Sequence, residues 1–227
     1  MKEGTRPATG VLIVEDHAIV REALTELLNK QTDLRVVGHA NSVRDAFHFL
    51  TSEQALVGIV LVDITLKGRG GLELIKDMRA QGINIPALVL SMHDELHYAE
   101  RSLRAGAMGY ITKDSASETV VLAIRRVLSG EIYLSADVAL KILNGLLSSK
   151  KVTGVAQLTD RELEIFRLIG SGVRTREIAA QLQLGLTTIE TYRQRIKKKL
   201  RLESGSRLSH EAFRWIESGE EVRTDLE

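Results

Sequence analysis

The chain has 227 residues, a formal net charge of +1, 44% hydrophobic and 27% charged residues, and no cysteine. This composition is typical of a globular protein of one or two domains, and it excludes disulfides, thiol catalysis and thiolate-bound zinc. The N-terminal segment lacks the apolar core of a signal peptide, and no apolar run approaches the roughly 20 residues that span a bilayer. We therefore expect a cytoplasmic protein without membrane contact.

The first half of the chain alternates between apolar runs and segments with helical spacing. The apolar runs predict strands at 11–14, 34–40, 58–62, 87–90 and 109–111, and the other segments predict helices at 17–30, 42–50, 72–78, 96–105 and 117–129. Strands that are apolar throughout and separated by helices form parallel sheets covered on both faces. The sequence therefore predicts a doubly wound α/β domain with a five-stranded parallel sheet.

After Gly130 the chain carries helical patterns only. One helix is predicted at 135–147, and the polar stretch 148–156 is typical of a linker. The capping residues and breaks predict three further helices, with a capping box at Thr159 and Glu162, a cap at Thr175, a break at Gly185, and a start at Thr187 or Thr188. A last helix is predicted at 206–218, with Trp215 as a core anchor.

Polar side chains follow four of the predicted strands. Glu15 and Asp16 follow the first strand, Asp63 the third, Ser91 the fourth and Lys113 the fifth. Functional sites of doubly wound sheets lie at the carboxyl ends of the strands, so these side chains should meet. Any one of them alone would usually be a cap or loop residue. Together, carboxylates that suit Mg²⁺, a hydroxyl and a lysine are the groups needed for phosphoryl transfer to a carboxylate.

Residues 11–129 resemble the receiver domain of response regulators, a flavodoxin-like fold. The matching motifs are VLIVED at 11–16, LVDITL at 61–66, LVLS at 88–91 and AGAMGYITKD at 105–114. The resemblance implies that Asp63 is phosphorylated by a sensor histidine kinase. It also implies that Mg²⁺ is held by Glu15, Asp16, Asp63 and the Thr65 backbone carbonyl, and that Ser91, Tyr110 and Lys113 form the switch. Asp114 stands where many relatives have proline, which leaves open whether the preceding peptide bond is cis.

Residues 158–200 resemble the helix-turn-helix of the NarL/FixJ (LuxR-type) regulators. The matching motifs are LTDRELEIFRLIGSG at 158–172, REIAAQLQL at 176–184 and TTIETYRQRIKKKL at 187–200. The run from Arg193 to Arg201 carries six cations and no acid, as expected of a helix that contacts double-stranded DNA.

The third helix of this motif would lie in the major groove with its N-terminal half towards the bases. We expect base contacts from Glu190, Thr191 and Gln194. We expect phosphate contacts from Thr188, Arg193, Arg195, Lys197 and Lys198. The resemblance implies a homodimer in the phosphorylated state, in which Ser209 and Phe213 of the last helix are interfacial.

These patterns predict five segments. They are a disordered N-terminal tail (1–10), a receiver domain (11–129), a helical linker (130–156), an all-α helix-turn-helix domain (157–218) and a C-terminal tail (219–227).

Two other functions compete with a phosphorylation-controlled transcription factor. A regulator that binds DNA without phosphorylation would not need the acidic cluster. A phosphatase that forms an aspartyl-phosphate would need a second acid two residues after its nucleophile, where this chain has Thr65. We therefore expect no enzyme activity on an external substrate, only slow self-dephosphorylation.

Overall fold

The computed structural model describes residues 7–66, 69–92, 96–115, 117–147 and 154–217. Five parallel strands form one sheet in the order β2-β1-β3-β4-β5. The strands are β1 (Thr9–Val14), β2 (Leu34–Ala40), β3 (Ile59–Asp63), β4 (Ala87–Ser91) and β5 (Gly109–Thr112). This is the flavodoxin-like order, so the predicted α/β fold is confirmed.

Five helices alternate with these strands. They are α1 (Ala18–Asn29), α2 (Val43–Ser52), α3 (Gly71–Ala80), α4 (Leu96–Ala105) and α5 (Ser117–Leu128). On one face of the sheet, α1 and α5 pack against one set of alternating strand side chains, which includes Val11, Ile13 and Leu61. The side chains that point to the opposite face, such as Leu12 and Val60, are also fully buried. Both sets are buried because helices cover both faces, which explains strands without polar alternation.

The segment after α5 pairs with the edge of the sheet. The Tyr110 N–H donates to the Tyr133 carbonyl and the Tyr133 N–H donates to the Met108 carbonyl, each at 3.0 Å. The helix α6 (Ala136–Leu147) follows, and Ser135 accepts a hydrogen bond from the Val138 N–H at 3.3 Å. A first compact unit runs as far as Ala139, and a second begins at Leu140.

The second unit contains the four helices expected of its predicted fold. They are α7 (Asp160–Gly170), α8 (Thr175–Gln181), α9 (Leu186–Leu200) and α10 (Gly205–Glu217). Trp215 is 2% exposed and its ring centroid lies 5.7 Å from that of Phe166, so its predicted role as a core anchor is confirmed. At Gly170 a side chain would collide with the Ala212 carbonyl, so glycine allows α7 and α10 to approach closely.

Three local predictions about helix ends were wrong. Thr175 is the first residue of α8 rather than its cap, because Arg174 occupies the N-cap. The backbone N–H of Arg174 donates to Glu177 Oε2 at 3.2 Å. The helix α8 ends at Gln181, before Gly185, because the chain turns at Gln183 with a φ of 52°. Gly185 is instead the N-cap of α9, which begins at Leu186, before either predicted threonine.

The predicted capping box is present, with the Glu162 N–H donating to Thr159 Oγ1 at 3.3 Å. No cis peptide bond occurs among the described residues, which include Lys113 and Asp114. In the part of the chain that the structure describes, no helix combines the length and apolarity needed to cross a membrane. The predicted tail 219–227, most of the predicted N-terminal tail and residues 148–153 of the predicted linker lie outside the described residues.

Candidate functional site

The structure brings the three predicted acids together at the carboxyl end of the sheet. Glu15 follows β1 and Asp63 ends β3, and the two strands are hydrogen-bonded neighbours. Oxygens of Glu15, Asp16 and Asp63 and a nitrogen of His17 lie within 4.8 Å of one another. Glu15 is 0% and Asp63 1% exposed, so the cluster is a buried concentration of negative charge.

His17 is the member of this cluster that the sequence did not single out. Its Nδ1 lies 2.9 Å from Glu15 Oε1 and 3.0 Å from Asp16 Oδ1. The backbone N–H of His17 also donates to Glu15 Oε1 at 3.0 Å. A single histidine after two acids is a weak sequence signal, and only the close approach of its ring to both carboxylates shows that it belongs to the pocket.

Lys113 contacts two of the three carboxylates. Its Nζ lies 2.6 Å from Glu15 Oε2 and 2.9 Å from Asp63 Oδ2, and its side chain is 6% exposed. The Lys113 N–H donates to the Ser91 carbonyl at 2.6 Å, which ties the loop after β5 to the end of β4. Lys113 therefore bridges Glu15 and Asp63, the two most deeply buried carboxylates of the cluster.

The pKa of Asp63 is raised above its ordinary value of 3.8. Burial is the main cause; the positive charge of Lys113 opposes it, and the neighbouring Glu15 carboxylate adds to it. The Thr65 N–H donates to Asp63 Oδ1 at 3.1 Å and favours the ionised form. A second cation beside the cluster would favour the ionised carboxylate further.

The other predicted switch residues lie on the neighbouring strands. Ser91 ends β4 and is 0% exposed, and Tyr110 lies in β5 and is 2% exposed. The strands that carry them are paired, with Ser91 opposite Thr112. At Gly71, the first residue of α3, a side chain would collide with the Asp63 carbonyl. Glycine therefore lets α3 begin directly against the end of β3.

Most of the predicted DNA-contacting residues are exposed on α9. Ile189 and Ile196 are 0% exposed and Leu200 is half-buried, so these three residues face the core of the unit. The predicted base-contacting residues Glu190, Thr191 and Gln194 are all exposed. Of the predicted phosphate-contacting residues, Thr188, Arg195 and Lys198 are exposed, and Arg193 and Lys197 are half-buried.

The cations of α9 differ in their intramolecular partners. Arg193 Nε lies 3.7 Å from Glu190 Oε2, and the Arg195 guanidinium lies 5.8 Å from the centroid of the Tyr192 ring. Lys199 turns inward and donates to Glu162 Oε2 at 2.6 Å. Within the basic stripe, Arg193 and Arg195 therefore contact residues of α9 itself, whereas Lys199 is bound to another helix.

On α10, the two residues predicted to be interfacial are both exposed. The exposed fraction of Phe213 is 50%, and Ser209 lies one helical turn before it.

Two family models match the chain. Residues 11–125 match the response regulator receiver domain, and residues 156–212 match the bacterial regulatory proteins of the luxR family. Response regulator UvrY of Escherichia coli (strain K12) is 34% identical over 205 residues, which are 90% of this chain and 93% of UvrY. Transcriptional activator protein ExaE of Pseudomonas putida is 33% identical over 217 residues, which are 92% of this chain and 97% of ExaE.

Solved structures share the fold. RcsB from Salmonella enterica serovar Typhimurium, bound to promoter rprA in the presence of the phosphomimetic BeF3⁻, has a TM-score of 0.62 and 22% identity. The match covers 89% of this chain and 97% of the RcsB chain. A two-component response regulator of the LuxR family from Aurantimonas sp. SI85-9A1 has a TM-score of 0.58 and 30% identity, and covers 62% of this chain and 99% of its own.

Proposed function

Because this chain belongs to the NarL/FixJ-type response regulators, which are DNA-binding transcription regulators, we propose that a sensor histidine kinase phosphorylates it on Asp63. Phosphorylation then controls dimerisation and DNA binding. The observation that carries this proposal is the buried Asp63 carboxylate, which is clustered with Glu15 and Asp16 and lies 2.9 Å from the Lys113 ammonium. We assign residues 11–129 to the receiver, 130–156 to a helical linker and 157–218 to the DNA-binding domain.

The acidic cluster fits Mg²⁺. Carboxylate oxygens within 4.8 Å of one another need only a small movement to share one ion, since ligands at about 2.0–2.1 Å from it are at most about 4.2 Å apart. The clustered oxygen ligands are of the type that Mg²⁺ prefers in proteins. Glu15, Asp16 and Asp63 would hold the ion together with the Thr65 backbone carbonyl. When bound, it neutralises phosphoryl oxygens and lowers the repulsion between them and the carboxylates.

The side chains of the pocket supply the nucleophile and the positive charge that phosphoryl transfer needs. An oxygen of Asp63 forms a bond to phosphorus while the phosphorus–nitrogen bond of the donor histidine breaks, and the electron pair returns to the imidazole. Lys113 is positioned to bind an oxygen of the transferred group, because its Nζ already lies 2.9 Å from the acceptor carboxylate. The chain needs no external substrate beyond the phosphoryl donor.

The phosphorylated state would be transmitted through Ser91 and Tyr110. The Ser91 hydroxyl would bind a phosphoryl oxygen, and Tyr110 would move on the adjacent strand. Both side chains are buried, so a change at Asp63 requires repacking between β4, β5 and the helices that cover them. In the DNA-binding domain, the exposed residues of α9 would contact bases and phosphates, and Ser209 and Phe213 of α10 would form the dimer contact.

Binding-site selection from random duplex DNA, with and without beryllofluoride as a phosphoryl mimic, tests this proposal. We expect the mimic to increase dimerisation and affinity for the selected duplex in the wild type but not in the Asp63→Asn variant. Equal affinity in all four samples would instead favour a regulator that is independent of phosphorylation. Turnover of a generic phosphate ester, lost in Asp63→Asn, would favour the phosphatase.

A further inference from the structure

The first turns of α7 make charged contacts with both ends of the α9 region. Arg161, held by Glu164, contacts the turn before α9, and Glu162 contacts the last turn of α9. We call Arg161, Glu162 and Glu164 the α7 clamp. Neither the apolar pattern of α7 nor the basic stripe of α9 predicts these contacts.

At the N-terminal end, Arg161 joins two elements. Its Nη1 donates to Glu164 Oε2 at 2.6 Å, and its Nη2 donates to the carbonyl of Leu182 at 3.1 Å. Leu182 is the C-cap residue of α8, and the next residue, Gln183, has a φ of 52°. Arg161 and Glu164 side chains are each 11% exposed, so this contact is mostly shielded from water. It holds the sharp turn from which α9 starts.

At the C-terminal end, Glu162 makes the corresponding contact. Lys199 Nζ donates to Glu162 Oε2 at 2.6 Å and to the Gln157 carbonyl at 3.3 Å. The same Glu162 oxygen accepts the Thr159 N–H at 2.7 Å in the capping box. The pKa of Glu162 is lowered from its ordinary value of 4.5, because these hydrogen bonds outweigh the effect of its burial.

These contacts restrict sliding and rotation of α9 about its own axis, which apolar packing restricts only weakly. Ile189 and Ile196 bury α9 against the unit, but contacts between aliphatic side chains have little directionality. A slip of one residue along a helix moves it by about 1.5 Å and turns it by about 100°, which would replace the base-facing residues. Directed charge-assisted hydrogen bonds at two points are better suited to fix such a register.

We propose that the α7 clamp consists of positioning residues that set the axial position and rotation of α9, and thereby the sequence specificity of DNA binding. The residues of the clamp act through Leu182 and Lys199. This inference rests on the proposed role of α9 in base contact.

The test compares full-length variants on two duplexes, one selected by the wild type and one with the same bases in scrambled order. The clamp variants are Lys199→Met and the double variant Arg161→Met/Glu164→Met. The double variant removes both charges of the Arg161–Glu164 pair, so neither is left buried without its partner. The matched control is Lys198→Met, which removes an exposed neighbouring cation. A second control, Arg167→Met, removes a cation from the other end of α7.

We expect each clamp variant to lose about tenfold or more of its preference for the selected duplex. Affinity for the scrambled duplex should change by less than about threefold. Lys198→Met should weaken both affinities by the same factor and keep the preference. Arg167→Met should also keep the preference.

Unchanged preference in the clamp variants would overturn the proposal. Parallel loss of both affinities, in proportion to the unfolded fraction reported by Trp215 fluorescence, would also overturn it and assign the clamp to stability alone. Glu162→Gln keeps an acceptor for the Thr159 N–H and provides a folded variant if the others unfold. All variants are measured with and without beryllofluoride, so failure of phosphorylation control is distinguishable from failure of the clamp.

Discussion

The Lys113 ammonium lies 2.9 Å from the Asp63 carboxylate and 2.6 Å from Glu15, and it is the cation that joins the ends of β1, β3 and β5. This contact does not fully offset the cost of burying a charged carboxylate at this site, because burial keeps the pKa of Asp63 raised despite the nearby lysine. The receiver unit therefore carries an electrostatic cost at its proposed phosphorylation site.

Asp63→Asn should stabilise the receiver unit at neutral pH. A carboxyl whose pKa is raised on folding lowers stability above its ordinary value of 3.8, and this loss disappears as the pH falls below that value. We expect a gain of about 1–3 kcal/mol near neutral pH that shrinks towards acidic pH, measured by denaturant unfolding followed by circular dichroism.

The matched control for this variant is Asp33→Asn. Hydrogen bonds from Arg125 lower the pKa of Asp33, so this substitution should destabilise rather than stabilise. Both partners are about half exposed, so the loss should stay below about 1 kcal/mol. A destabilised Asp63→Asn would contradict the electrostatic interpretation of the pocket.

Magnesium should stabilise the wild type and not Asp16→Asn. An ion that binds only the folded state adds about 2.7 kcal/mol at a concentration about 100 times its Kd. Asp16 supplies one of the clustered oxygens, and its loss should weaken binding without unfolding the strand before it. Thermal unfolding over a magnesium titration measures the difference, and an equal shift in both proteins would argue against a site at Asp16.

Glu190→Lys should change the preferred DNA sequence. Glutamate accepts hydrogen bonds and favours the cytosine amino group, whereas lysine donates and favours guanine. Glu190 is exposed on α9, within 3.7 Å of Arg193, so the substitution also removes a partner of that arginine. Selection from random duplexes should return a different consensus, and an unchanged consensus would remove Glu190 from the base-contacting residues.

Acid should weaken the DNA-binding unit through Glu162. A carboxyl whose pKa is lowered on folding contributes stability above its ordinary value of 4.5 and loses it as the pH falls through the folded value. We expect this contribution to be about 1–2 kcal/mol. Unfolding followed by Trp215 fluorescence near neutral pH and at pH values well below 4.5 measures this contribution, and Glu162→Gln should reduce the difference in stability between the two conditions.

Gly170→Ala should separate α7 from α10. The new methyl group would meet the Ala212 carbonyl, and overpacking of this kind costs about 1–3 kcal/mol. The Tm of the DNA-binding unit, followed by Trp215, should fall by about 4–8 °C for each kcal/mol. Ser171→Ala changes the adjacent exposed residue and should stay within about 0.5 kcal/mol of the wild type.

The strand ends show what the sequence by itself determined. Apolar runs such as 59–62 and 87–90 predict buried parallel strands, and because parallel strands end at the same edge of a sheet, Glu15, Asp63 and Lys113 are predicted to lie there together. The helical spacing of Ile189 and Ile196 likewise identifies the buried side of α9 before any contact is known. These features follow from local periodicity, which depends on neighbouring residues alone.

Only the tertiary structure decided which polar residues meet over long distances. Lys199 looks like its neighbours Lys197 and Lys198 in the basic stripe, yet it is bound to Glu162 on another helix. The sequence pattern also predicted the wrong helix ends near Thr175 and Gly185. Arg174 is an N-cap and Gln183 has a positive φ, and the intrinsic preferences of arginine and glutamine do not favour these conformations. Such choices depend on the summed energy of contacts between distant segments, which no local pattern contains.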